Sequence, residues 1–218
     1  AEDGIRYQPR SRGRGDVYKR QFQSSNEIDA ERAVMAAADA STAWADTPAP
    51  SRASVLFKAL EIMGKRSDEI AQSITDEEGK PLLDAKGEVK RAMNIIEYAA
   101  GEGRRMFGYT TPSELPNTMA YTTRRPLGVV AIITPWNFPL AIPAWKLAPA
   151  LICGNTVVFK PASSTPMTAV KLTEVFEEAG LLDRHDFGDG RSRYEEASGD
   201  HHDHLIDVQL SLIHISEP

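Results

Sequence analysis

Two short stretches of this 218-residue chain carry polar groups in otherwise apolar, proline-bent surroundings. The first is "ITPWNFP", Ile133–Pro139, in which the amide of Asn137 stands between Trp136 and Phe138 and is bracketed by two prolines. The second is "KPASS", Lys160–Ser164, which offers an ammonium and two hydroxyls. Together they hold an amide, an indole, a cation and hydroxyl groups, a set able to hydrogen-bond and stack on an organic ligand. Three further features invite chemistry. Cys153 is the only cysteine and so a candidate nucleophile. "HHDH", His201–His204, offers metal-ligand types. "RGD", Arg14–Asp16, matches a cell-adhesion tripeptide. The last two favour bland readings: adjacent residues cannot converge on a metal without a scaffold, and three common residues match by chance.

The elements around these groups decide what they can do. From Pro126 to Trp145 no residue is charged, a length that would cross a bilayer, but Pro126, Pro135, Pro139 and Pro143 interrupt it. The run therefore reads as strand, bend and helix, with no membrane span. "VVAIIT" (129–134) is a continuous β-branched run, expected to be a strand buried on both faces. A helix through "LAIPAWKLAPALICG" (140–154) follows, then a second buried strand, "NTVVFKP" (155–161). "TPMTAVKLTEVFEEAG" reads as a helix with Thr165 as cap, Pro166 in the first turn and Gly180 as stop. Strand, helix, strand, helix is a parallel βαβ unit, so the fold class is α/β. Ligands in such sheets sit beyond the carboxyl ends of the strands. Those ends are "TPWNFP" and "KPASS".

Upstream, the period is helical from Asn26 to Phe107. Ala33, Ala37, Ala40 and Trp44 form one apolar stripe, and Val55, Leu56, Ala59, Leu60 and Met63 a second, with Ser51 as its expected cap. A third helix should run from Ser67 to a stop at Gly79, and a fourth from Pro81 along Val89, Met93, Ile96 and Ala100. "TMAYTTRRP" (118–126) alternates and reads as a strand exposed on one face. The expected organisation is a polar, non-native or disordered tail (1–21), helices forming the N-terminal part of the cofactor domain (22–108), a hairpin segment (109–126), the first βαβ part of a nucleotide-binding domain (127–182), and a tail without period, read as disordered and as foreign or frame-shifted (183–218). All five histidines lie in that last stretch. The net charge of −6 disfavours a nucleic-acid surface. One cysteine gives no internal disulfide and no sign of secretion.

With these residues in view, "RRPLGVVAIITPWNFPLAIPAWKLAPALICGNTVVFKPASSTP" (124–166) resembles the aldehyde dehydrogenase superfamily, through the W-N-F-P and G-N-T-V-V-x-K-P elements at this spacing. The resemblance runs from about Asn26 to Leu182, the N-terminal third of a typical member. It implies helices packed on the first part of a parallel Rossmann-like sheet with a small hairpin used in oligomerisation. It also implies oxidation of an aldehyde to an acid with NAD or NADP, although the usual G-x-G-x-x-G fingerprint is absent. By this resemblance Asn137 is the amide that faces the aldehyde oxygen while a thiolate attacks. Ile133, Thr134, Pro135 and Trp136 line the cofactor cleft. Lys160, Ala162 and Ser163 meet its adenosine half; serine at 163, where many NAD-preferring relatives carry Glu, removes a repulsion of the 2′-phosphate. Phe138, Ile142 and Trp145 match walls of the substrate tunnel, and Lys146 a lysine in proton relay. No metal is implied. The surroundings of "IPAWKLAP" lean toward members acting on short semialdehydes such as 2-oxoglutarate semialdehyde.

Cys153 falls where that family has small residues, so it is expected to be a buried spacer. The nucleophilic cysteine and general-base glutamate of the family would lie further on, which makes the chain a truncated member. The parent is expected to be cytoplasmic and a homodimer or homotetramer. The rival is a non-catalytic nucleotide-binding or interaction module.

Overall fold

The computed structural model describes residues 25–181 and, beyond them, the backbone of two short strands, Asp183–Asp186 and Ser192–Glu195. Four helices open the fold: α1 (Glu27–Asp46), α2 (Ala49–Lys65), α3 (Ser67–Glu78) and α4 (Leu82–Glu102). The start of α1 is fixed by a reciprocal cap. Asn26 Oδ1 accepts from the amides of Ile28 and Asp29, and Asp29 accepts from the amide of Asn26. The expected stripes are all core-facing: Ala33, Ala37, Ala40 and Trp44, then Leu56, Ala59 and Met63, then Ile70 and Ile74. Gly79 ends α3 in the left-handed region at φ 77°, as its place predicts. The cap of α2 differs from expectation. Ser51 lies inside that helix, which begins two residues earlier because Pro50 suits a first turn, where no amide partner is needed.

The sheet that positions the loops is a parallel pair, β3 (Val129–Ile133) and β4 (Thr156–Lys160), in register from Val129 opposite Thr156 to Ile133 opposite Lys160. α5 (Ala141–Ile152) is the crossover and α6 (Pro166–Ala179) follows β4. Alternation along β4 separates two environments. Val158 packs with Ala33 and Ala37 of α1 on one face, whereas Val157 and Phe159 join the main core formed with α2, α4, α5 and α6. The first strand departs from the expected double burial: Ala131 and Ile133 are exposed, and only Ile132 is fully buried. Its continuous apolar run hid that difference, because a β-branched sequence reads the same whether or not a neighbour covers it.

Long-range polar contacts lock the layers. Thr156 Oγ1 donates to the carbonyl of Ala37 at 2.7 Å, and Trp44 Nε1 to that of Leu151 at 3.0 Å. Arg52, buried, donates through Nε to the carbonyl of Ile152 and through Nη1 to those of Trp44, Ala45 and Thr47. One guanidinium thus satisfies carbonyls left over at the ends of both α1 and α5.

The hairpin segment is smaller than its sequence suggests: β1 (Thr110–Thr111) pairs with β2 (Ala120–Tyr121), and beyond that pair the Thr122 amide donates to the Tyr109 carbonyl at 2.8 Å. Asp183–Asp186 (β5) and Ser192–Glu195 (β6) form an antiparallel pair in a stretch where no period was visible. The tail 1–21 with "RGD", and "HHDH", lie outside the described residues. Among the described residues no helix is long and apolar enough to cross a membrane.

Candidate active site

The carboxyl ends of β3 and β4 lie side by side, joined past the last paired residues by a hydrogen bond from Thr134 N–H to the Lys160 carbonyl (3.2 Å). The loops leaving them are therefore neighbours. Thr134 is buried, Pro139 and Leu140 are buried, and Pro135, Trp136, Asn137 and Phe138 between them are exposed. This makes a four-residue arch anchored at both feet. Prolines at 135 and 139 restrict the backbone at each side of it. Asn137 stands between two exposed rings, Trp136 at 59% and Phe138 at 39%; Trp145, in the second turn of α5, is also exposed, at 43%. An exposed apolar rim around one amide is the composition of a ligand-binding surface.

The remaining expected residues fall around the same end of the sheet. Ile133 closes β3 and is exposed. Lys160 closes β4 and is half-buried; Ala162 and Ser163 lie in the turn that follows, closed by Thr165 N–H to the Ala162 carbonyl at 3.2 Å. Ile142 is half-buried in the first turn of α5, and Lys146 is exposed one turn on. Trp145 is steadied by Arg91 of α4, whose guanidinium lies 4.9 Å from the ring centre.

Cys153 corrects an expectation. It is exposed rather than buried. What separates it from the arch is position: it follows α5 at its carboxyl end, and the arch precedes that helix. Twelve helical residues span roughly 18 Å. A thiol there cannot reach a carbonyl held at Asn137.

Two glutamates that sequence reasoning missed sit under the loops. Glu88 of α4, only 3% exposed, accepts from the amides of Leu140 and Ala141 at 2.9 and 3.1 Å, the start of α5. Glu77 of α3 accepts from the amide of Thr168 at 2.8 Å, its hydroxyl at 2.7 Å, and the amide of Met167. It thereby caps α6, a role expected of Thr165, whose side chain makes no capping bond. Burial raises the Glu77 carboxyl above the usual carboxylate range, with the bonds from Thr168 and Met167 opposing. Lys80 completes the set. Its ammonium pairs with Glu88, lies 2.7 Å from Glu78 Oε1, and donates to the Asn137 carbonyl at 3.1 Å. It also rests 4.4 Å from the centre of the Phe138 ring. Burial lowers its pKa, but the bonds to Glu78 and Glu88 outweigh this and leave it raised. A signal for Glu88 existed: it lies on the same helical face as Ala85, Val89 and Ala92, all buried.

Comparison with known proteins gives the family. The model of the "Aldehyde dehydrogenase family" matches residues 11–183. A second model, "Ferric uptake regulator family", matches residues 167–216, sharing α6 with the first and otherwise falling mostly outside the described residues. The chain is 52% identical over 159 residues to the alpha-ketoglutaric semialdehyde dehydrogenase of Bacillus subtilis, covering 73% of this chain and 33% of that protein. It is 47% identical over 162 residues to the alpha-ketoglutarate semialdehyde dehydrogenase of Haloferax volcanii, covering 74% and 34%. A solved structure of an E. coli NADP dependent enzyme superposes with a TM-score of 0.70 at 41% identity, over 71% of this chain and 32% of that one. The chain thus spans about a third of the length of the relatives it matches. From the arch to the second strand end, and by a family match covering most of its length, this chain belongs to the aldehyde dehydrogenase family.

Proposed function

We propose that this chain is the N-terminal part of an NAD- or NADP-dependent aldehyde dehydrogenase that oxidises a short semialdehyde to its acid. The observation that carries the reading is the arch: Asn137 held in an anchored loop that leaves β3 next to the end of β4. A neutral amide fixed there donates to the aldehyde oxygen as a thiolate adds to the carbonyl and negative charge collects on it. Such a donor is worth roughly a hundredfold to a thousandfold in rate, because it brings no counter-charge and needs no reorganisation. The substrate class rests on the names of the two semialdehyde-oxidising relatives. Phe138, Ile142 and Trp145 supply apolar walls for a short carbon chain, and Lys146 assists proton relay.

The strand ends fit a dinucleotide. Lys160 closes the second strand with its side chain half-exposed, and the exposed arch beside it leaves the cleft open to a flat ring system. Lys160, Ala162 and Ser163 would hold the adenosine half, and Ile133, Thr134, Pro135 and Trp136 would line the cleft. When bound, the cofactor supplies the acceptor for hydride. The nucleophile and general base are supplied by sequence beyond this chain, whose one thiol lies at the wrong end of α5. The working enzyme is a cytoplasmic homodimer or homotetramer.

The test uses a full-length enzyme in which residues 25–181 replace the matching third of the Bacillus subtilis relative. Asn137→Ala should lower kcat about a hundredfold or more, with little change in cofactor binding. An unchanged kcat where chemistry limits turnover would sink the oxyanion role.

A further inference from the structure

We infer that Lys80 and Glu88 are positioning residues that hold the Asn137 arch in its working geometry. The inference rests on the oxyanion reading given above. Glu88 sits almost wholly inside the protein on α4, a helix otherwise packed through Val89, Ala92 and Ile96. A carboxylate in such a place is costly unless every lone pair is used. One oxygen takes two amides, Leu140 and Ala141, at 2.9 and 3.1 Å; the other takes the Lys80 ammonium. Lys80 in turn donates to the Asn137 carbonyl at 3.1 Å and is ion-paired with Glu78, whose Oε1 lies 2.7 Å away. The segment from Asn137 to Ala141 is therefore tied at both ends to one buried ion pair. Elsewhere on the arch the Phe138 carbonyl accepts from the Ile142 amide at 3.2 Å, while the side chains from Pro135 to Phe138 are exposed.

An oxyanion donor works only where it stands, and a displacement of about 1 Å can cost a hundredfold. The tie fixes the backbone of Asn137 and leaves its amide unencumbered. Lys80 also lies against the Phe138 ring, which couples the donor to an adjacent apolar wall. A pair serving only general stability would have no reason to bond the carbonyl of the exposed residue that carries the amide.

Two measurements test this. In the 218-residue chain, hydrogen exchange is followed at the amides of Leu140 and Ala141 and, as a control, in α2. Lys80→Met and Glu88→Gln should speed exchange tenfold or more at 140 and 141 with α2 unchanged; a uniform rise or no rise overturns the tie. Lys80→Arg, which keeps the charge, should preserve most of the protection and serves if Lys80→Met does not fold. In the full-length enzyme, Lys80→Met should lower kcat about tenfold to a hundredfold while KM for the cofactor stays level. In an Asn137→Ala background the same change should cost nothing more, because its effect passes through that amide. Additive losses, or an unchanged kcat in Lys80→Met alongside a large loss in Asn137→Ala, overturn the positioning role and leave the oxyanion reading standing. An unchanged kcat in Asn137→Ala removes the oxyanion reading itself, and with it the catalytic meaning of the tie.

Discussion

Cys153 is exposed at the carboxyl end of α5, so a thiol reagent should label it in the folded chain without denaturant. Labelling that required unfolding would contradict the structure at this residue. The same chain should show no aldehyde-dependent formation of NADH or NADPH, since this thiol lies a helix length from Asn137; turnover lost in Cys153→Ser would refute that. Ser163 makes a sharper statement about the cofactor. In the full-length enzyme Ser163→Glu should reduce kcat/KM for NADP relative to NAD by tenfold or more, as a carboxylate would meet the 2′-phosphate. An unchanged ratio would place Ser163 away from the ribose. The exposed place of Asn137 in the loop after β3 was legible because the prolines on either side of it break the apolar run. Lys80 was not, since a lysine beside Gly79 and Pro81 reads as an ordinary turn. Its partners, Glu88 and the Asn137 carbonyl, are 8 and 57 residues away.

At the scale of elements, α3 and α6 are joined by charge. Arg66 Nε lies 3.1 Å from Glu69, and its two terminal nitrogens lie 2.5 Å from Glu174 and Glu178; Lys171 pairs with Glu69. Hydrogen bonds from Arg66 and Lys171 hold the Glu69 carboxyl down to about 2. An unfolded glutamate titrates near ~4.3. The folded form thus binds its proton at lower pH than the unfolded form, and the stabilisation is full above ~4.3 and lost as pH falls toward 2. Glu69→Gln should flatten the fall in stability across that window, measured by urea unfolding at stepped pH; an unaltered slope would mean the contact is not kept in solution. Glu77 has the opposite sign. Its raised pKa makes stability decline as pH rises from ~4.3 toward its folded value. Replacing it by alanine leaves the amides of Met167 and Thr168 without their acceptor, at a cost of about 2 kcal/mol. For a chain of this size that is a fall in Tm of about 4–8 °C, and no fall would show that α6 is capped otherwise. The helices themselves were legible because each buries one stripe at helical spacing. The capping glutamates were not, because each serves a helix that starts far along the chain.

For the whole molecule, the α/β class and the order of elements followed from the change of period after Phe107. What did not follow was how much of the sheet is covered. Among the described residues β3 and β4 pair only with each other, and Ala131 and Ile133 leave one face of β3 open. Open strand edges beside exposed apolar groups favour association. The purified chain should elute larger than a 24.0 kDa monomer as concentration rises, and Ala131→Lys should reduce that shift. A strictly monomeric chain at all concentrations would mean that face is covered. The hairpin of β5 and β6 was missed because four-residue strands rich in charge carry no alternating apolar signal.

The two buried glutamates have a consequence for anions. The starts of α5 and α6 face the strand ends, where parallel α/β proteins commonly seat a diphosphate on free backbone amides. Here those amides already belong to Glu88 and Glu77, so each helix has neutralised its own positive end with a carboxylate. A pyrophosphate would find neither donor free and would meet negative charge instead. A dinucleotide held at these strand ends could therefore not seat its diphosphate on these four amides. The missing glycine fingerprint and the two glutamates then express one arrangement, a fold whose usual phosphate seats are filled from within.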